Sequence, residues 1–522
     1  MGEGSTEPAR PTPNRHKFLM TGEQYLESQR DGRVVYYKGE VIEDVTTHPA
    51  TGGGIRTIAR LYDHQHDPAH QDAMTYLRSD GERASMSFMV PRTKEDLRRR
   101  RRAIEHISRE TFGFYGRGID MIAMVHVGML GVLPTFRKHC PEYAENLVAY
   151  RDYAEERNLH LAEIVAEPQG VRGRTAGTPP DTPLPDRAVA RIVRESSKGI
   201  WISGVKAVAT AGAQAHDITI GRVYPTPNLE ECFWVAIPAN APGVKQFCRE
   251  LTGNPDSSPD EHPVTAFGEE TDGLLAMDEV FVPRERIFAM KSTALHDTNL
   301  FNTLARHEHW YTLTRMAVKA EMYAGLGRVL CDTLDLVPVP AVRQRIADLY
   351  QVAQILRGMV IASEEMGEML PGDVFSPNAN LVTAARAYAL ETMPMVLATL
   401  QDLSGMGLMV RLSDKDLDVP VAFGKPLSWF LDQKDVSARD KDKVMDLVWD
   451  VTCSGTAQRV KLFEVANAQN LPFLKERLFR EYPVQDMADA CRSFIGLGPA
   501  GRQREVDYKI RWDWSAKGQS GV

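Results

Sequence analysis

The spacing of apolar residues changes twice along this chain, and that constrains the fold more than any other feature. Up to about residue 165 and again from about residue 300, apolar side chains recur every three to four positions. From about 187 to 292 they recur every second position. The first spacing buries one stripe of a helix and the second buries one face of a strand. Four long stretches carry the late helical pattern: RHEHWYTLTRMAVKAEMYAGLGRVL, AVRQRIADLYQVAQILRGMVIASEEMGEML, NLVTAARAYALETMPMVLATLQDL and DKVMDLVWDVTCSGTAQRVKLFEVAN. With short connections between them they predict a four-helix bundle. Several, notably the second, are apolar over a wide arc, which predicts a second buried face and therefore oligomerisation.

In the middle region, ARIVRESSKGIWISGVKAVAT alternates around Ser197-Lys198-Gly199, the signature of a β-hairpin. ECFWVAIPANAPGV and GLLAMDEVFVPRERIF are further strand-like runs. Together they predict an antiparallel β-domain. Between the first helical region and this one lies PQGVRGRTAGTPPDTPLPD, too rich in proline and glycine to be a core element. In the first region, YAENLVAYRDYAEERNLHLAEIV has the spacing of a packed helix. The expected organisation is a disordered lead over 1–18, a mainly helical domain over 19–165 and a β-barrel domain over 166–292. A C-terminal four-helix bundle follows over 293–480, with an extension over 481–522.

Several function classes are excluded by simple counts. A net charge of −8 argues against a general nucleic-acid binder. Five arginines run from Arg98 to Arg102 in DLRRRRRAIEHISRE, but consecutive positions point all round a helix and acidic residues flank them. They predict a solvated, salt-bridged helix. The six cysteines form no C-x-x-C pair and no disulfide framework, as expected for a cytoplasmic protein. The longest apolar run, MIAMVHVGMLGVLPTF, has 16 residues and carries His126 and Pro134, so no membrane span is expected. The His64, His66 and His70 of DHQHDPAH fall in a polar loop and read as solvated. The segment GLGPAG, Gly496 to Gly501, matches G-x-G-x-x-G, yet it follows a helical pattern and no βαβ unit fits after it. A Rossmann site is therefore not expected.

The order helical region, β-domain, four-helix bundle is that of the acyl-CoA dehydrogenase-like architecture, an α+β fold. Within that architecture the chain resembles the oxygenase components of two-component flavin-dependent phenol monooxygenases, the 4-hydroxyphenylacetate, chlorophenol and nitrophenol monooxygenases. The opening TGEQYLESQRDGRVVYYKGEVIEDVTTHP resembles the start of that family, and HPVTAFGEETDGLLAMDEVFVPRERIF resembles its late β-domain. QDAMTYLRSDGERASM is similar to the chlorophenol branch in particular.

The resemblance implies FAD, used as FADH2 supplied by a separate NAD(P)H-dependent flavin reductase, and a homotetramer. It implies hydroxylation of a phenol- or hydroxypyridine-type substrate with O2 through a C4a-hydroperoxyflavin, in natural-product biosynthesis or aromatic degradation. The alternatives are an acyl-CoA dehydrogenase-like oxidoreductase and a catalytically degenerate flavin-binding protein.

Residue by residue, GRGID matches the family segment whose arginine faces substrate and flavin, which makes Arg117 the candidate. Ile119 and Met121 stand where the pattern has proline and, in one branch, tyrosine, and Glu163 stands where that branch has histidine. Pro168, Gln169 and Arg172 match the segment that runs along the flavin, Thr210 a turn threonine that hydrogen-bonds it, and Glu464 and Asn467 a helix segment that meets it; Glu163 completes the expected flavin-binding set. His309 aligns with a histidine near the substrate in the chlorophenol branch; from its residues alone it reads either as a core histidine or as a base for the phenol proton. Arg117, Met121, Glu163, His309 and Tyr311 are the expected substrate-binding set, with Arg117 and His309 catalytic. No metal site is expected, since His307 and His309 do not share a helix face.

Overall fold

The computed structural model describes residues 17–168, 189–222, 226, 228–296, 298–433 and 435–497. Gln169, Arg172 and most of GLGPAG lie outside them. The alternating middle region forms two sheets. One has six strands in the order Glu40–Val41, Val35–Tyr37, Val244–Cys248, Gly273–Pro283, Gly199–Ala207, Arg191–Ser196. The other has four, in the order Ile287–Met290, Phe233–Pro238, Asp217–Ile220, Leu161–Ile164. Ile202, Leu275 and Val282 from the first sheet meet Ile218, Val235 and Ile237 from the second in one buried cluster. The expected hairpin is present, with Ser196 paired to Gly199 across the turn.

Two pairings depart from the antiparallel expectation. Val35–Tyr37 joins Val244–Cys248 in parallel, and Leu161–Ile164 joins Asp217–Ile220 in parallel. Both parallel strands come from the N-terminal region, so the sheets recruit backbone from outside the alternating stretch. The helical reading of YAENLVAYRDYAEERNLHLAEIV is correct only over Ala144–Glu156; its last part is the strand Leu161–Ile164. All four residues of that strand are buried, and a strand buried on both faces shows no alternation to read.

The bundle consists of the helices Arg306–Thr333, Pro340–Glu365, Ala379–Ser404 and Ala438–Thr452. The fourth predicted helix is broken. A second helix, Gly455–Ala466, begins after Ser454, whose hydroxyl accepts from the Ala457 N–H at 3.0 Å. Ser and Gly at the break are a capping signal. Gly455 also permits a close backbone approach, because a Cβ there would lie 1.9 Å from the Thr252 carbonyl oxygen.

The helix Lys94–Glu110 is salt-bridged as predicted, with Arg98 and Arg102 reaching Glu95 and Arg101 reaching Glu105. Arg100 is the exception. It is fully buried and donates to the carbonyls of Ser87 and Met89, each at 2.7 Å. The apolar run MIAMVHVGMLGVLPTF forms two helices, and every residue of the first, Met121–Gly131, is buried. Among the described residues no helix is long and apolar enough to cross a membrane.

The helix Arg306–Thr333 sits at the centre. It packs against the two bundle helices that follow it and, on its other side, against Lys94–Glu110 and Met121–Gly131. Every residue from Arg306 to Ala320 is buried, including Arg306, His307, Glu308, His309, Arg315 and Lys319. Charged side chains are rarely buried without partners. The partners of these define the site.

Candidate functional site

The helix Lys94–Glu110 ends in the glycine-rich turn that carries Arg117. Gly116 is required there: a Cβ would lie 2.0 Å from the ring of Phe463, on the helix Gly455–Ala466. The turn places the Arg117 N–H on Glu270, at 2.5 Å from Oε1. The guanidinium donates to the Glu163 carbonyl oxygen at 3.0 Å, and its Nε has no partner.

Glu163 and Glu308 lie beside this cation, one from the strand Leu161–Ile164 and one from the central helix. Burial pushes the Glu163 carboxyl up to about 8, the nearby Glu308 pushes it further up, and Arg117 opposes both. Burial likewise raises Glu308, against Arg117 and Arg386. Two carboxyls near one cation in a dry place do not both ionise at neutral pH, so the pair holds a proton. Glu163 Oε1 has no hydrogen-bond partner.

Around this group lies a shell of satisfied ions. Arg459 donates to Glu270 and Asp272, each at 2.7 Å. Asp272 also accepts from Arg249 at 2.9 Å and from the Thr210 hydroxyl at 2.7 Å. Burial would raise Asp272, but Arg459 and Arg249 hold it down at about 2. Glu464 is gripped by both Nη atoms of Arg315, at 2.6 and 2.7 Å, and by Lys319 at 2.7 Å. Those two cations outweigh its burial and keep it well below the usual carboxylate range. Burial pushes Lys319 down to about 8 in spite of Glu464.

The sequence-predicted residues separate accordingly. Arg117 and Glu163 are in direct contact. Tyr311 lies beside Gly118 with Asp120; its hydroxyl and both Asp120 oxygens have no hydrogen bond of good geometry. Burial raises Asp120 to about 6. Met121 is buried in the same apolar cluster as Tyr311. Thr210 joins Arg117 through Asp272, Arg459 and Glu270. Asn467 donates to Thr312 at 3.3 Å and its Oδ1 has no partner. Pro168 is half-buried and follows Glu167, which is paired with the buried Lys206 at 2.5 Å.

His309 is fully buried with neither ring nitrogen partnered. Burial holds it well below the ordinary imidazole value, helped by Arg386 and Arg477. The Arg386 charge acts on both Glu308 and His309. Sequence reasoning missed Glu308, Glu270, Asp272, Arg459 and Asp120. A signal was available for Glu308: charges fall on every face of RHEHWYTLTRMAVK, so no helix orientation leaves them all in solvent.

Unpartnered polar atoms of Arg117, Glu163, Tyr311 and Asn467 are therefore buried among residues of both sheets and the bundle. Such atoms fit a polar ligand that supplies the missing bonds. Helical region, paired sheets and bundle with a polar interior among them define the acyl-CoA dehydrogenase-like class of flavoprotein fold.

The chain belongs to the 4-hydroxyphenylacetate 3-hydroxylase family: the family's N-terminal model matches residues 21–289 and its C-terminal model residues 298–496. It is 30% identical to the oxygenase component of a 4-nitrophenol 4-monooxygenase/4-nitrocatechol 2-monooxygenase from Rhodococcus opacus, over 95% of each chain. It is 31% identical to a 2,4,6-trichlorophenol monooxygenase from Cupriavidus pinatubonensis, over 88% of each. The crystal structure of the oxygenase component of 4-hydroxyphenylacetate 3-monooxygenase complexed with FAD superposes with a TM-score of 0.84 at 28% identity, covering 91% of this chain and 98% of that one. The chain is thus a flavin-dependent aromatic monooxygenase with FAD as its cofactor.

Proposed function

We propose that the protein hydroxylates a phenol- or hydroxypyridine-type ring larger than 4-hydroxyphenylacetate, using reduced FAD delivered by a separate NAD(P)H-dependent reductase. Reduced FAD, when bound, supplies the activation of O2. Thr210, Asn467 and Arg117 would hold it, with Gln169 and Arg172 from the segment outside the described residues.

The observation that carries the reading is a buried guanidinium set against a carboxyl pair of raised pKa, with unpartnered polar atoms around it. Arg117 holds the ring oxygen as negative charge develops, because a guanidinium stays charged at every working pH. His309 takes the hydroxyl proton. Its burial keeps the ring neutral, so a lone pair is always available, and the imidazolium forms only while the phenolate beside it is anionic. Glu163, protonated at neutral pH, offers an O–H donor where one branch of the family has a histidine, and this suits a substrate with a second polar atom. A catalytically degenerate scaffold has no use for a proton shared between buried carboxyls, and an acyl-CoA dehydrogenase needs an ionised one.

Apolar side chains exposed on the single chain support a homotetramer. Met406, Met409 and Phe423 are 80%, 83% and 94% exposed, and Tyr350, Ile355 and Ile361 line the outer side of Pro340–Glu365.

The test is rapid-mixing kinetics of His309→Asn with phenol and pyridinol substrates across pH 6 to 10. Hydroxylation is expected to slow by about 10²- to 10⁴-fold at neutral pH, the usual worth of a general base. The deficit should shrink as pH approaches the phenol's own pKa of about 10. A normal rate at pH 7 would make His309 a core residue and leave the base role to another group.

A further inference from the structure

We propose that His64, His70 and His106 form a binding site for one divalent transition-metal cation of the Zn2+ type, outside the flavin site. His64 caps the C-terminus of the helix Gly52–Asp63, His70 follows one turn later, and His106 projects from the last turns of Lys94–Glu110. The sequence reading left the first two in solvent. The fold instead half-buries them and brings them against a third histidine from another element.

One ring nitrogen from each lies within 4.8 Å of the others, and His64 Nδ1 is 2.9 Å from His106 Nε2. Tetrahedral zinc at about 2.0–2.1 Å from each nitrogen spaces its ligand atoms about 3.4 Å apart, so small rotations of the rings close the site. The ring centroids are 4.4, 4.8 and 5.0 Å apart, so the three rings share one small volume.

Without a cation this is a poor arrangement. Three imidazoles share one hydrogen bond of good geometry among themselves. An imidazole ligates through the lone pair of its neutral form, and three such nitrogens face one another here. Asp67 and Glu110 supply negative charge nearby, against Arg60 and Arg109. The Asp67 carboxylate lies 3.8 Å from His70 Nε2, a negative charge that favours a bound cation nearby. Half-burial leaves a fourth position for water.

The site would brace the active-site turn from behind. Ile107, next to His106, lies against Gly118 in the turn that carries Arg117, 3.3 Å from where a Cβ would stand. The cation is therefore structural and no redox step is assigned to it.

Chelator-treated full-length protein should be titrated with Co2+ while its visible ligand-field spectrum is recorded, then with Zn2+ by calorimetry. One ion per chain is expected, with a tetrahedral Co2+ spectrum that Zn2+ abolishes. His64→Asn and His106→Asn should each weaken binding by at least about 100-fold. His66→Asn should leave binding unchanged, since His66 is exposed and reaches the Met20 carbonyl instead. Zn2+ should raise the thermal midpoint of the unsubstituted protein and not that of the two ligand variants, whose metal-free midpoints report that they are folded. Binding that survives His106→Asn, or that is lost equally in His66→Asn, overturns the assignment.

Discussion

Replacing Glu163 by glutamine tests whether the buried carboxyls hold a proton. Glu163 is raised from 4.5 to about 8. A group whose folded pKa lies above its unfolded value stabilises the fold fully at low pH and loses that contribution as pH rises. Below pH about 4.5 both states are protonated and the substitution is nearly neutral. Between about 4.5 and 8 the unfolded chain releases the proton and the native state retains it, which costs about 1.4 kcal/mol per pH unit. The difference of about 3.5 units gives an upper limit of about 5 kcal/mol at pH 8, reduced by whatever structural relaxation admits water. Glu163→Gln should therefore match the parent protein near pH 4.5 and exceed its stability by a few kcal/mol near pH 8. The direct assay is the infrared carbonyl stretch of protonated carboxyls. At pH 7 Glu163 should be mostly protonated, so the band should be present, lose intensity near pH 8 and be weaker in the variant, with Glu308 and Glu364 contributing the remainder. No protonated band at pH 7, or one untouched by the substitution, would refute the reasoning.

Arg117→Ala removes a buried cation that donates to the Glu163 carbonyl; it should bind flavin yet consume it with O2 while releasing H2O2 in place of hydroxylated product, and tight coupling of flavin oxidation to product in that variant would remove Arg117 from the chemistry. Light scattering at micromolar concentration should give a tetramer, and Met406→Glu with Phe423→Glu should shift it toward smaller species; a monomer in the unsubstituted protein would leave those exposed side chains without a role.

The bundle and the hairpin were readable in the sequence because their information is local. Ser197-Lys198 is a two-residue turn between alternating runs, and a buried stripe on a helix is a repeated spacing. Leu161–Ile164 was not readable, because four consecutive buried residues, Glu163 among them, carry no period. Val35–Tyr37 has only three residues, and its partner Val244–Cys248 lies far along the chain. Arg100 was misjudged for a related reason. A run of five arginines hides the one whose position on the helix faces the carbonyls of Ser87 and Met89.

The site was legible only where one residue carries a motif, as Arg117 does. Its chemistry depends on pairings between distant elements, and these sort the buried carboxyls into two kinds. Asp272 and Glu464 each accept several charge-assisted bonds, so they stay ionised, Asp272 joining the sheet region to the helix Gly455–Ala466 and Glu464 joining that helix to the central one. Glu163 and Asp120 have oxygens with no partner and are raised to about 8 and about 6. Asp272 at about 2 and Glu163 at about 8 reach Arg117 through the same short network, yet about 6 pKa units separate them. Neighbouring acids driven that far apart take different roles, one as fixed charge and the other as a carrier of protons. Glu464 was expected at the flavin from its place in the motif; Arg315 and Lys319 donate three bonds to its oxygens, so it also ties its helix to the central helix. Polar atoms that the protein leaves incomplete are the ones a ligand can complete, and Arg117, Glu163, His309, Tyr311 and Asn467 are among the buried residues that carry them.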